Sequence, residues 1–432
     1  MARVIGADDL SFRSTERTLL PMPQHVTFDS AFFQEPQHLY RALRNDGPLH
    51  RFTSPTGVTG WMITDYDVAR RILNDRSVIK TQDTMAGADP SAQPRELSAR
   101  LRSWLRERTS PWMVSHMLAA EPPDHTRLRG VVQSAFSPAA LRALEPAIDQ
   151  YATDLITKLE SESGSEPIDL VENYAFALPV QVICRILGVP DRHMGAIGEA
   201  SRVLSDVIVA DPDDLRRAAL TLAKIIYPLM RKRRRHPTDD VLSLLMQANR
   251  AKQLSLQEAM STVALLLIAG HETTVNLIAN TTHLLLKDRT TLMRLQAGDS
   301  RLRDVIEESL RFEPPLPTTT LRQASIDLDI DGTLISAGDI VMISLAAANR
   351  DPAKFDQPDT FDPARATRGS LAFGHGIHHC IGAPLARLEA EIALKKLVAA
   401  YPDMHLDTDV GDAVWRESIV FRGLRSLPVR LH

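Results

Sequence analysis

Apolar residues recur at helical spacing over most of this chain and alternate at strand spacing only in short stretches. Leu39, Tyr40 and Leu43 share one side of a short amphipathic helix between Pro36 and Pro48. Trp61-Met62-Ile63 reads as a strand, and Asp65 then starts a helix through Val68, Ile72 and Leu73. Longer helical patterns cover Leu141–Leu159, Phe176–Leu187 and Ala200–Met230. Gly188 and Pro190 close the second of these, and an acidic break at Asp211–Asp214 interrupts the third. Between Thr81 and Ser115 the pattern lapses. Met85–Pro94 is a loop by its Gly, Asp, Ser and Pro content, Leu97–Arg108 is partly helical, and Ser110–Met113 returns to loop. A long irregular stretch inside a compact domain is often functional. This one suits a pocket lid and a packed surface loop equally well.

The most persistent pattern begins at Ser255-x-x-Glu258, a capping box, and continues to about Leu286. At 1.5 Å per residue the helix is about 45 Å long, enough to cross a domain. The string AGHETT, Ala269–Thr274, lies in its middle. Gly270 weakens the helix there, and Thr273 and Thr274 can hydrogen-bond back to carbonyls, so a local bend or widening is expected. Glu308 and Arg311 are three apart on a further helix that stops at Glu313-Pro314-Pro315. Ile326, Leu328 and Ile330 alternate, Asp331-Gly332 turns the chain, and Ile340–Ile343 returns, which predicts a small antiparallel sheet. Ser418–Phe421 leads into a second strand pair near the C-terminus.

Composition narrows the function classes. The chain has 432 residues, 44% hydrophobic and 24% charged, as in ordinary globular proteins. A net charge of −4 argues against a nucleic-acid or anionic-membrane role. The basic run Arg231–His236 reads as a solvated helix end before Pro237. The longest purely apolar run, Val263–Ala269, is too short to span a bilayer, and residues 1–22 read as a poorly ordered arm without a signal-peptide core. No membrane anchor is therefore expected. Two cysteines cannot build a disulfide framework at this length, which points to a reduced, cytoplasmic compartment. Cys184 sits among Val180, Val182, Ile183 and Ile186 as core packing.

The other cysteine is where chemistry concentrates. Phe373–Glu389, FGHGIHHCIGAPLARLE, places Cys380 on a glycine-rich loop before a helix carrying Ile381, Leu385, Leu388 and Ile392. Such a loop aims backbone N–H groups at the sulfur and seats it at a helix N-terminus, both of which favour thiolate. One thiolate is a poor structural zinc site but a good axial ligand for haem iron. Elsewhere, prolines and acids in Glu121-Pro122-Pro123-Asp124 start a helix on which His125 and Arg129 share a face, as two donors for carboxylates or as a solvent-facing pair. Glu272 and Thr273 set a carboxylate and a hydroxyl inside an apolar helix, as a proton relay or as a solvent-side acid beside a back-bonded threonine.

The string Phe373, Gly374, Gly376, His378, Cys380, Gly382 resembles the haem-binding loop of the cytochrome P450 family. The resemblance extends from about Pro36 to the C-terminus, with five motifs in family order. It implies a mainly α fold with a small β portion. Haem b (iron protoporphyrin IX) would lie between the long central helix and the Cys380 loop, with residues 1–432 as one domain. It implies Cys380 as the axial iron ligand. His125, Arg129, Arg322 and His378 become donors to the haem propionates, and Phe373, Gly374, Gly382 and Ala269 lie against the cofactor. Glu272 and Thr273 become the acid–alcohol pair that delivers protons, while Glu308, Arg311 and Arg365 form a structural trio behind the haem. Leu316–Thr320 and the C-terminal strand tip would line the pocket. His271 receives no role. The implied activity is insertion of one oxygen atom from O2 into a C–H bond, or epoxidation, of a small hydrophobic molecule of macrolide or polyketide type in secondary metabolism. A thiolate ligand favours O–O cleavage. Electrons would come from a ferredoxin and its ferredoxin reductase. A peroxide-driven enzyme would lack the acid–alcohol pair that is intact here, and a haem sensor or carrier would not need one.

Overall fold

The computed structural model describes residues 25–55, 57–81, 115–162, 166–205, 211–407 and 413–432. The expectations for the N-terminal arm and for the stretch from Gln82 to Val114 fall outside them.

Helices begin where the sequence offers a cap. Asp65 accepts from the Val68 N–H at the start of Tyr66–Asn74, and Asp211 caps Pro212–Arg235, so the acidic break is a true boundary. Gly188 ends Ala177–Leu187 in the left-handed conformation at φ 80°, as predicted. The basic run lies in the last turn of Pro212–Arg235. The capping box opens the central helix, Leu256–Lys287, in which Ser255 Oγ accepts from the Glu258 N–H and Glu258 answers to the Ser255 N–H. The central helix is α-helical through AGHETT; the expected widening is absent, while the Thr273 hydroxyl does donate back to Ala269 O at 3.0 Å. By length and mean hydropathy this helix could cross a membrane, but it is largely buried inside the protein. Helices Ala177–Leu187, Met194–Ser205, Leu302–Phe312 and Ala383–Ala400 pack around it and share the largest apolar core.

A six-stranded sheet flanks this helical body, in the order His25–Thr27, Leu49–Thr53, Thr59–Ile63, Ile340–Ile343, Arg322–Ala324, Val78–Ile79. Two further apolar clusters lie on its two faces. Trp61, Ile63, Val341 and Ile343 belong to one, and Met62, Ile340 and Met342 to the other. This corrects one expectation. Ile340–Ile343 does not return beside Leu328–Ile330 but pairs parallel with Thr59–Ile63 and antiparallel with Arg322–Ala324. All four of its residues are buried, the sign of a central strand covered on both faces. The hairpin partner of Leu328–Ile330 is instead Thr333–Ile335, because the two-residue turn Asp331-Gly332, with φ 50° and 84°, leaves no room for a longer excursion. The C-terminal reading is corrected likewise. Pro428–Arg430 pairs with His405–Leu406 and Ile168–Asp169, while residues 414–425 fold back on themselves around a Trp415–Leu424 bridge.

Candidate functional site

The Cys380 loop is built by glycines and closed by its own backbone. Gly374 and Gly376 have φ of 70° and 73°, and a Cβ on Gly376 would sit 2.6 Å from Leu73 O, so the turn admits only glycine there. The Cys380 N–H donates to Phe373 O at 3.0 Å, and the helix Ala383–Ala400 follows at once. Cys380 is accessible to solvent yet densely surrounded by protein, so it faces a hollow within the molecule rather than open water. Burial pushes its thiol up, and the N–H groups of Gly382 and Ala383 with the Arg129 and Arg387 guanidiniums pull it down. The thiolate-favouring groups expected from the sequence are thus present, but burial outweighs them. The Arg387 guanidinium also covers the Phe373 ring at 4.4 Å and pairs with Glu307.

Beside this loop the fold gathers basic side chains from four segments. His125 is buried on Asp124–Val132, with its ring 4.6 Å from that of His378, which lies in the short turn Gly376–His378. Arg129, one turn on, donates to His379 O at 2.9 Å and ties this helix to the cysteine loop. Arg322 comes from the penultimate strand of the sheet, and Lys80 follows the outermost strand. Among the described residues one acid faces them. Glu121 Oε1 accepts the Lys80 backbone N–H at 3.0 Å and lies 3.4 Å from His378 Nε2. Burial drives His378 down to about 4, with Lys80, Arg322 and His125 adding repulsion and Glu121 opposing it. Burial, with Arg322 beside it, holds Lys80 well below its ordinary value. His125 Nε2 and Arg322 Nε are buried and have no hydrogen-bond partner among the described residues. Buried polar groups are almost always paired. A positively biased, buried patch with two unused nitrogens therefore fits the carboxylates of an acidic cofactor such as haem.

The central helix presents its own accessible row. Leu265 and Thr273 are half-buried and Ala269 is exposed, each four residues apart, while Leu266, Leu267, Glu272 and Thr274 are buried. A helix threaded through the core with one open face in mid-length adjoins an internal hollow. Glu272 does not join that row. Its Oε1 pairs with Arg416 Nη1, and its Oε2 lies 3.6 Å from His271 Nε2. His271 Nδ1 is 2.6 Å from Leu267 O, an acceptor, so Nδ1 carries the hydrogen. Burial pushes His271 down to about 4, which leaves it neutral near pH 7 with Nε2 as an acceptor. Arg416 is thus the one cation on Glu272 among the described residues.

Glu308, Arg311 and Arg365 meet as expected. Arg311 donates twice to Glu308 at 2.7 Å, and Arg365 Nε lies 3.2 Å from Glu308 Oε1. Arg311 also donates to the carbonyls of Asn349 and Pro358 at 2.9 Å, and the Asp362 N–H donates to Glu308 at 2.9 Å. Asn349 Oδ1 accepts from the Leu371 N–H at 2.7 Å, which carries the support to the base of the cysteine loop. Two surface hollows of about 460 and 610 Å³ are lined by neither Cys380, Ala269 nor Thr273 and are not the site. Sequence reasoning missed Lys80 and Arg416 and gave Glu121 only a helix-start role. Their partners lie 41 to 257 residues away, and no local string marks them.

The Cytochrome P450 family model matches residues 300–409. Cytochrome P450 107B1 of Saccharopolyspora erythraea is 37% identical over 410 residues, covering 95% of this chain and 98% of its own. Cytochrome P450 monooxygenase PikC of Streptomyces venezuelae is 38% identical, with 92% of each chain covered. 6-Deoxyerythronolide B hydroxylase of S. erythraea is 36% identical over 91% of this chain and 95% of its own. Among solved structures, the tirandamycin C-bound P450 monooxygenase TamI superposes with a TM-score of 0.83 at 38% identity, covering 95% of this chain and 100% of its own.

Proposed function

This chain belongs to the cytochrome P450 family and is a haem b monooxygenase, and we propose that Cys380 would supply the thiolate ligand to its iron and Thr273 with Glu272 its proton relay. The family's reaction takes O2, a small organic substrate and electrons from redox partners. The carrying observation is the cluster of hydrogen-bond donors from His125, Arg129, Arg322 and His378 beside an accessible Cys380, with two buried nitrogens that have no partner among the described residues. The four side chains would hold the haem carboxylates, and Phe373, Gly374, Gly382 and Ala269 would lie against its faces.

When bound, the haem supplies the activation of O2 and the oxygen transfer. The chain's own work is to place it, exclude water and move protons. Arg129 holds the helix of His125 against the cysteine loop, and the Gly382 and Ala383 N–H groups partly offset the burial of the Cys380 sulfur. The Thr273 hydroxyl lies on the accessible row, where it would hold and pass on a proton, and the buried Glu272 next to it would resupply that proton. An intact acid–alcohol pair supports O2-driven rather than peroxide-driven turnover. As substrate we propose a macrolide or polyketide-type metabolite, hydroxylated or epoxidised. The relatives named cytochrome P450 monooxygenase PikC and 6-deoxyerythronolide B hydroxylase support this. We further propose one domain over residues 1–432, a ferredoxin with its reductase as electron donor and a cytoplasmic location.

Thr273→Ala tests the relay. The reading expects at least tenfold more peroxide released per product formed, with haem content unchanged. Unaltered coupling would mean that the proton reaches oxygen without this hydroxyl.

A further inference from the structure

A second row on the central helix is buried and polar: Glu272, Asn276 and Asn280, again four residues apart. All three meet the hairpin of residues 414–425. Arg416 pairs with Glu272, a Cβ added to Gly423 would overlap the Asn276 amide, and Asn280 Nδ2 donates to Arg422 O at 2.9 Å. The hairpin closes through backbone bonds, from the Arg416 N–H to Gly423 O and from the Arg425 N–H to Val414 O, both at 2.9 Å. Those two closing bonds run from backbone to backbone. The hairpin tip is fastened to the segment proposed to line the pocket, where Thr318 Oγ1 donates to Ile419 O at 2.8 Å. The rest of the hairpin is anchored by Arg422, which pairs with Glu313 at 2.9 Å and stacks on Trp415 at 3.6 Å.

We propose that Arg416 is the positioning residue for Glu272, fixing the carboxylate and tying proton delivery to the seating of the hairpin 414–425 on the central helix. This rests on reading Glu272 as the relay acid. The physical argument is one of desolvation. A buried carboxylate stripped of its cation is costly, so Glu272 can leave its place only with Arg416 or after taking up a proton. Its other neighbour cannot substitute, because neutral His271 offers Nε2 as an acceptor. Among the described residues, Arg416 from the hairpin pairs with Glu272, and Arg202 from Met194–Ser205 acts together with Arg416 on the neighbouring His271. Arg416 is 18% accessible against 2% for Glu272, so the arginine also stands between the buried acid and solvent. Because Ile419 at the tip is bonded to Thr318, an occupant pressing on that wall shifts the same hairpin that carries Arg416.

The test is a cycle of Arg416→Met, Glu272→Gln and the double variant, with Arg416→Lys as the charge-keeping control, all haem-loaded. Infrared difference spectra at neutral pH read the carboxyl directly. Arg416→Met minus the double variant should show a protonated carboxyl band that wild type minus Glu272→Gln lacks, and Arg416→Lys should abolish it. Peroxide released per electron pair, with ferredoxin and its reductase as donor and 6-deoxyerythronolide B or myristic acid as probe, should rise severalfold in Arg416→Met. The double variant should match Glu272→Gln alone, since partners in one unit are not additive. Absence of the new carboxyl band would overturn the pairing. A changed Glu272→Gln beside an unchanged Arg416→Met would overturn the proposal alone. Coupling left intact by Glu272→Gln would overturn the relay reading beneath it.

Discussion

Arg322 shows what single residues contribute here. It is buried, its Nε has no partner among the described residues, and its one hydrogen bond to them, from Nη1 to Val78 O, is long at 3.4 Å. A side chain so poorly served by the protein is poised for an anionic ligand. Hydrogen bonds to charged groups are worth about 1.5–3 kcal/mol. Arg322→Met should therefore release haem to a competing apoprotein at least about tenfold faster, with the fold retained by circular dichroism; an unchanged release rate would remove Arg322 from the cofactor site. At this scale the sequence was informative wherever a motif is local. His125 and Arg129 are one helical turn apart, and His378 and Cys380 share a loop. Lys80 was illegible because a lysine after Ser77-Val78-Ile79 looks like any strand end, and only the fold brings Glu121 and Arg322 to it.

The elements repeat the lesson with a different cause. Helices were readable because period and caps are both local: Asp65, Asp211 and Ser255 each stand where a helix begins. Strands were less so, since pairing is decided by distant partners. Ile340–Ile343 was assigned to the wrong sheet although its four consecutive apolar residues were the sign of a doubly covered strand. The support network around Glu308 belongs to this scale, because it joins helix Leu302–Phe312 to the chain before the cysteine loop. Glu308→Gln would leave the buried Arg311 and the half-buried Arg365 beside a neutral amide. Removing one member of a buried charge network costs about 3–5 kcal/mol. Denaturant unfolding of the haem-loaded protein should show a loss of that order, with Arg311→Met equally damaging. A loss below about 1 kcal/mol would mean that the backbone bonds of Arg311 alone hold the loop.

For the whole molecule, a fold organised by one long core helix around one cofactor was legible only through the joint match of five motifs. The packing of that core has a consequence for pH. Burial holds His271 and His283 each at about 4, against an ordinary 6.5. Between these values the unfolded chain binds protons that the folded chain refuses, so their contribution is whole above 6.5 and is lost as pH falls toward 4. Such a gap is roughly 3 kcal/mol per histidine. Glu389 has the opposite sign, because burial raises its pKa well above 4.5 and stability is lost as pH rises past that value. In Glu389→Gln, where that opposition is gone, the melting temperature should fall steadily from pH 6.5 to 4.5; a flat profile would contradict the burial of both histidines. The central claim, that Cys380 makes this protein a haem-thiolate enzyme, is tested most directly by the absorption spectrum of the reduced, carbon-monoxide-bound protein. A strongly red-shifted Soret band, lost in Cys380→Ser, is the predicted result. A band at the ordinary histidine-ligated position in properly folded, haem-loaded wild type would contradict it.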